Sequence, residues 1–277
     1  MRLAFIGGWG HHYLRRLLSA EADGVVARPV AVSGDGHDER RARALAQQLG
    51  EATWFDDPRR MLEQFRPDVV SVGAVYGYNG DMIALAMERG AAVVSDKPIA
   101  ATWEQLGRLK QLSARPGATL LTELPLRCLA EFQAAAAAVA DGRVGRVVLA
   151  TAQKSYRFRV RPAWYADRAS YGGTMLWVAS HGIDAIRFLT GKPFLRVSAT
   201  QGNVSRAERG SMEEYCIATF DLAGGGAAVV HADYLRPNRL PTHSDDRIRI
   251  AGDRGIVEIR DNRCLLTDDD GTREVTA

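Results

Sequence analysis

Cysteine is scarce: three residues in 277, at Cys128, Cys216 and Cys264, scattered and odd in number. That spacing argues against a disulfide frame or a zinc site and fits reduced core thiols in a cytoplasm. Long apolar runs are missing as well; none approaches the ~18 residues that a membrane helix needs. The first residues, MRLAFIGG, run straight into a strand without the apolar span and cleavage site of a signal peptide. A cytoplasmic protein is therefore expected. Charge of one sign is not in excess either. Lys+Arg 36 against Asp+Glu 33 leaves +3, which gives no reason to expect nucleic acid or membrane as a partner. Internal repeats are absent. His231 and His243 have no ligand-like neighbours at metal spacing, so no metal is assigned.

What is present is an ordinary soluble composition, 46% hydrophobic and 25% charged, long enough for one large or two medium domains. The chain is organised around Val93-Val94-Ser95-Asp96-Lys97-Pro98. An apolar run leads into an acid, a lysine and a proline. A lysine at the C-terminal end of a buried parallel strand lies where open α/β sheets bind ligands. Pro98 fixes its own φ and pushes Lys97 away from helical geometry, which sets the lysine in a defined turn. A solvated lysine ahead of a helix is the alternative for such a triplet taken alone.

The first half alternates strands and helices. Leu3–Ile6 is a short strand running into Gly7-Gly8-Trp9-Gly10, and a helix follows His11 with Leu14, Leu17 and Leu18 on one face. Strand, glycine turn and helix open a dinucleotide-binding fold, in which the glycines let the backbone approach a pyrophosphate. The spacing is Gly-Gly-x-Gly, shorter than the usual Gly-x-Gly-x-x-Gly, and a plain tight turn is the alternative. Val30–Val32 is the second strand. Asp35 follows it at the place where an acid bonds the adenosine ribose and would favour NAD over NADP. The alternative is turn chemistry within Gly34-Asp35-Gly36, and Arg40 and Arg41 nearby soften the cofactor preference. Helices at 38–49, 58–65, 82–88 and 102–112 and strands at 68–75, 91–95 and 119–122 complete a parallel sheet with right-handed crossovers. The cofactor-binding set is Gly7, Gly8, Trp9, Gly10, His11, Asp35, Ala74, Asp96 and Lys97. A first domain is expected over 1–122.

The second half, 123–277, changes texture. After a helix at 130–140 come strands at 145–160, 196–202, 215–220, 226–234, 246–251 and 256–261, broken by glycine turns. The fold class is thus α/β: a parallel N-terminal sheet followed by an α+β domain with an open, mostly antiparallel sheet. Between the first two of these strands, 171–191 reads as one helix, closed by Gly191 and Pro193. Trp177, His181, Asp184 and Phe188 share one face at steps of four, three and four. Histidine titrates near the pH at which proton transfer is useful, and the nearby acid could orient it; a structural histidine on a core helix is the alternative. Arg157, Arg159 and Arg161 alternate, so they point to one face and could receive an anionic group, or be solvated. Tyr165, in the loop before the glycine pair, is a substrate-contact candidate.

These residues together resemble the glucose–fructose oxidoreductase and inositol dehydrogenase family, the Gfo/Idh/MocA group. The likeness is carried by the IGG-W-G start, Asp96-Lys97-Pro98 in place of Glu-Lys-Pro, Gly142-Arg143-Val144-Gly145-Arg146-Val147, Gly172-Gly173 with His181 and Asp184, and Leu189-Thr190-Gly191. The resemblance implies a Rossmann domain, and a second domain whose open sheet often forms a homodimer or homotetramer interface. It implies NAD- or NADP-dependent redox chemistry on sugars, cyclitols or related small molecules. By position, Lys97 matches the catalytic lysine, and the resemblance makes a cis Lys–Pro bond an expectation. His181 matches the active-site histidine, Asp35 the ribose-binding acid and Arg127 a substrate arginine. The sequence also departs from the pattern. Trp177 replaces an acid one turn before the histidine, Asn79 stands where a histidine is common, and the chain closes early at Ala277, which predicts a reduced sheet. The expected scheme has His181 taking the hydroxyl proton, Lys97 stabilising the oxygen, and Trp177 making the pocket more apolar. A catalytically silent sensor of the same fold is the competing expectation.

Overall fold

The computed structural model describes residues 1–11 and 28–276. The helix expected after His11, with Leu14, Leu17 and Leu18, lies outside the described residues. The chain divides into two compact units: Met1–Glu123 with Arg168–Gly172, and Leu124–Asp167 with Gly173–Ala277. The division expected after Thr122 thus falls one residue later, and the chain returns to the first unit for five residues.

The first unit is a six-stranded sheet in the order β3-β2-β1-β4-β5-β6. Its strands are β1 (Arg2–Gly7), β2 (Arg28–Ser33), β3 (Thr53–Phe55), β4 (Val69–Gly73), β5 (Ala92–Ser95) and β6 (Leu120–Thr122). All pairs are parallel. Alternation along β1 explains its burial on both faces. Ala4 and Ile6 pack with Val70, Ile83 and Leu109, whereas Leu3 and Phe5 pack with Val32 and Leu45. Each fully buried aliphatic side chain contributes about 1.5–3 kcal/mol. Asp57 caps the helix Pro58–Phe65 by accepting from the Arg59 amide, and Thr102 caps Trp103–Ser113 through the Gln105 amide. The helix expected at 82–88 starts earlier, at Asn79, directly after a 3-10 turn at Tyr76–Tyr78.

The second unit is an eight-stranded sheet in the order β14-β13-β12-β11-β7-β10-β9-β8. Its strands are β7 (Val147–Arg157), β8 (Phe194–Gly202), β9 (Tyr215–Leu222), β10 (Ala227–Arg236), β11 (Ser244–Gly252), β12 (Ile256–Arg260), β13 (Arg263–Asp268) and β14 (Gly271–Val275). It is antiparallel except where β10 runs parallel to β7. One face buries Ala150, Ala152, Val230, Ile248 and Ile250. The helix Ser180–Thr190 lies on this sheet closely enough that a Cβ on Gly182 would sit 2.9 Å from Val230 and 3.1 Å from Ala152.

The segment expected as one helix is three elements: a short helix Arg168–Tyr171, a π-helix Met175–Ala179 and the α-helix Ser180–Thr190. Gly172 and Gly173, at φ +81° and +115°, break it, because these angles are poorly available to other residues. Of the cysteines, Cys216 and Cys264 are buried, and burial pushes their thiols up to about 12 and about 11. Cys128 is exposed, contrary to the expectation of a core thiol. Among the described residues no helix is long and apolar enough to cross a membrane.

Candidate active site

The carboxyl ends of β1, β4, β5 and β6 bring a polar cluster together in the first unit. Lys97 follows β5 and is 7% exposed, a degree of burial that requires a partner. Its Nζ lies 3.7 Å from Asp96 Oδ1, and the same oxygen accepts the Lys97 amide at 2.9 Å. The Lys97–Pro98 bond is cis. Asn79 clamps this turn. Its Oδ1 accepts the Ala74 amide at 2.8 Å, and its Nδ2 donates to the carbonyls of Pro98 at 3.1 Å and Asp96 at 3.4 Å. Asn79 thus ties the end of β4 to the lysine turn, a task its sequence position did not reveal.

Glu123 follows β6, and its amide donates to the Ser95 carbonyl at 2.9 Å. Burial, then the Asp96 charge, raise its carboxyl to about 7, with Lys97 acting in the opposite direction. Its Oε2 is buried without a hydrogen-bond partner. Glu123 was not among the expected site residues. The signal was available: it is the first residue past a parallel strand next to the strand that carries Lys97.

The glycine turn is built by packing. Gly7 and Gly10 have φ +82° and +77°, and a Cβ on Gly10 would lie 2.5 Å from Asp96 Cβ. The Trp9 amide donates to the Gly73 carbonyl at 2.8 Å, and Trp9 Nε1 donates to Asp38 at 3.1 Å under the Arg41 guanidinium, 3.6 Å from the ring centroid. His11 turns inward. It is 4% exposed, with ring nitrogens 2.7 Å from Ser71 Oγ and 3.2 Å from the Gly7 carbonyl. Its imidazole therefore anchors the turn and does not reach out to a cofactor. Trp9 and Ala74 are likewise buried. The main chain at Gly8 and Gly10 is half-buried, which leaves backbone accessible for a pyrophosphate. The turn fits a dinucleotide.

Asp35 does not fit its expected part. It is 4% exposed. Oδ1 accepts the amides of His37 and Asp38 at 2.9 Å each, and Oδ2 accepts the Val75 amide at 2.6 Å. The carboxylate is committed to a turn and to the end of β4, so it does not face outward to a ribose.

In the second unit, His181 stands at the start of its helix and is 5% exposed. Trp177 is 8% exposed and sits in the π-helix that leads directly into the helix of His181. The Gly173–Thr174 entry is fixed by Glu213, whose Oε2 accepts the Thr174 amide at 3.1 Å and whose carbonyl accepts the Thr174 hydroxyl at 2.6 Å.

Arg127, expected as a substrate arginine, and Asp184, expected beside His181, pair with each other. Arg127 Nε donates to Asp184 Oδ2 at 2.7 Å and Nη2 donates to Oδ1. The fork engages both oxygens, so the partner that the structure gives Asp184 is Arg127. The hydrogen bond to Asp184 raises the Arg127 pKa. The Arg127 side chain is 48% exposed against 12% for Asp184, which limits the pair's worth. A double-mutant cycle with Arg127→Ala and Asp184→Ala, read by urea unfolding, is expected to give a coupling of about 0.5–1 kcal/mol. A coupling of zero would mean that the two groups do not meet in solution.

Tyr165 is 2% exposed, with its ring 4.5 Å from that of Trp164. The regular strand alternation expected of Arg157, Arg159 and Arg161 is not kept. Strand β7 ends at Arg157, whose guanidinium donates to the carbonyls of Asn238 and Leu240, and Arg159 takes φ +53°. Among the described residues no group of three or more His, Cys, Asp or Glu is placed to hold a metal.

Comparison with known proteins gives a consistent result. Residues 1–124 match the profile of an oxidoreductase family with an NAD-binding Rossmann fold, and residues 132–258 match the GFO/IDH/MocA C-terminal domain. A solved structure from Thermotoga maritima, described provisionally as an oxidoreductase, superposes with a TM-score of 0.92 at 33% identity, covering 100% of this chain and 85% of that one. D-glucoside 3-dehydrogenase of Escherichia coli K12 is 30% identical over 159 residues, 56% of this chain and 45% of that enzyme. D-xylose 1-dehydrogenase (NADP(+)) 2 of Haloferax volcanii is 29% identical over 170 residues, 59% of this chain and 50% of that enzyme. The chain thus spans about half the length of these two curated relatives.

Proposed function

The chain belongs to the Gfo/Idh/MocA oxidoreductase family, and from that premise we propose that it is a nicotinamide-dependent dehydrogenase of a secondary alcohol on a sugar, cyclitol or related small molecule. The observation that carries the reading is Lys97: a buried ammonium held by Asp96, in a turn clamped by Asn79, beside an accessible glycine turn. Bound at that turn, NAD or NADP would supply the hydride acceptor. Gly8 and Gly10 would hold its pyrophosphate through main chain, and His11 and Trp9 keep the turn in shape. Because Asp35 is closed off, its carboxylate gives no ground for choosing between NAD and NADP.

Lys97 holds the substrate oxygen and stabilises the charge that develops there as hydride leaves. His181 accepts the hydroxyl proton. Trp177 supplies an apolar wall suited to the face of a sugar ring. The test is an NADH fluorescence titration followed by a sugar and cyclitol panel watched by nicotinamide absorbance. Turnover with any member supports the dehydrogenase. Tight NADH binding with no turnover across the panel favours a silent sensor, a reading for which Trp177 in place of an acid is the specific motive. Self-association through the helix-free sheet face, a homodimer or homotetramer, belongs to the same proposal and is read by light scattering.

Glu123 sets the charge around Lys97. Below pH about 7 one carboxylate faces the ammonium, and above it two do. A carboxyl whose folded pKa is raised binds more protons folded than unfolded between its ordinary 4.5 and about 7. Stability contributed by the protonated form is therefore lost as pH rises through that window. The thermal midpoint of the native protein is expected to fall across that interval relative to Glu123→Gln, which keeps the neutral form. Parallel pH profiles for the two proteins would show that Glu123 ionises at its ordinary pKa.

A further inference from the structure

The second unit contains a cavity of about 400 Å³ that no step above uses. Four arginines line it, Arg159, Arg161, Arg206 and Arg209, against a single acid, Glu208. Glu208 lies 3.9 Å from Arg206, on the exposed side of the cavity. Glu214, a second carboxylate whose charge acts on Arg209, accepts from the Val204 and Ser205 amides and the Ser205 hydroxyl.

The cations are held in place by aromatic faces. The Arg209 guanidinium is 3.4 Å from the Phe158 ring centroid, and that of Arg161 is 5.4 Å from the rings of both Tyr165 and Tyr234. Such contacts orient a planar cation. Arg159 is fixed through its backbone, with φ +53° and its amide donating to Asn238 Oδ1 at 3.1 Å. Arg209 Nη1 is buried with no hydrogen-bond partner. A charged donor without an acceptor is costly, and the residue that carries it lines the cavity. His243 reports the same field from the bend just ahead of β11. Burial, then the charges of Arg161, Arg159 and Arg157, push its imidazole down to about 4.

We propose that this cavity binds a small organic molecule through a phosphoryl group. Several guanidinium forks converging on one space match a dianion with three acceptor oxygens better than a single carboxylate. The volume lies within the range of small-molecule sites and leaves room for a sugar-sized remainder against Tyr165 and Met212. The site lies wholly in the second unit and does not rest on the dehydrogenase reading.

The experiment is calorimetric titration of the full chain, saturated with NADH so that the glycine turn is filled, with inorganic phosphate, a hexose monophosphate and the unphosphorylated hexose. The hexose monophosphate is expected to bind, more weakly as salt rises, and the neutral hexose to bind at least about tenfold more weakly. Arg209→Gln is expected to weaken hexose monophosphate binding by about tenfold or more. Arg159→Gln, at an exposed position, should weaken it in the same direction, and carries the test if Arg209→Gln alters the thermal melt. Equal affinity for the phosphorylated and neutral hexose overturns the proposal. So does binding that both variants leave unchanged, since the phosphoryl group would then sit elsewhere on the chain.

Discussion

Replacing Lys97 with methionine is expected to lower turnover on any true substrate by about 10²–10⁴-fold while leaving NADH affinity within a few-fold. The side chain is of similar length and stays apolar enough for a site only 7% exposed, so the turn has no reason to collapse. What disappears is the ammonium, a positive group beside two carboxylates, Asp96 and Glu123. Without it an alkoxide would develop next to like charges, and the barrier rises by the loss of a preorganised cation in a poorly solvated place. The measurement is kcat by nicotinamide absorbance alongside a fluorescence titration with NADH. Turnover that survives the change removes the lysine from the scheme. If His181 serves the same alcohol, His181→Asn in the Lys97→Met background should cost less than it does alone, because residues that act as a unit are not additive.

The sequence made the first unit readable because its signals are local. Alternation of short apolar strands with amphipathic helices needs no knowledge of partners, and the strands found at 2–7, 69–73 and 92–95 lie within two residues of those expected. Elements that depend on weak composition escaped: β3, three residues long, and the hairpin β13–β14. The turn before β13 did carry a mark. Asp261 and Asn262 have φ +52° and +57°, the left-handed pair of a two-residue hairpin, and Asp and Asn tolerate it. The π-helix was not legible, because a widened turn leaves no periodic trace over five residues. Residue type singled out Lys97 and His181, but hydrogen-bond partners decide what a polar side chain does, and these come from distant parts of the chain. Arg127 meets Asp184 across 57 positions, and Asp35 meets Val75 across 40. A motif fixes where an acid stands, not which donors reach it first.

Asp35 is where that distinction has its largest consequence for stability. Its carboxylate accepts three backbone amides, two in its own turn and one at the end of β4. Asp35→Ala leaves these donors without an acceptor in a place that is 4% exposed. At about 1 kcal/mol or more for each, the loss is expected to be about 2–4 kcal/mol in chemical unfolding. Asp35→Asn separates the parts. Its one oxygen can still serve the His37 and Asp38 amides, while its NH₂ would face the Val75 N–H, donor against donor. The cost should therefore remain near half of the alanine value, although the residue is almost the same size. A ribose ligand would behave the other way: both changes would weaken NADH binding strongly and leave the unfolding midpoint nearly in place. Unfolding midpoints and NADH titrations on the same two variants, below their melting temperatures, thus assign this carboxylate either to the sheet or to the cofactor. Three amide donors at 2.6–2.9 Å put the expectation on the sheet.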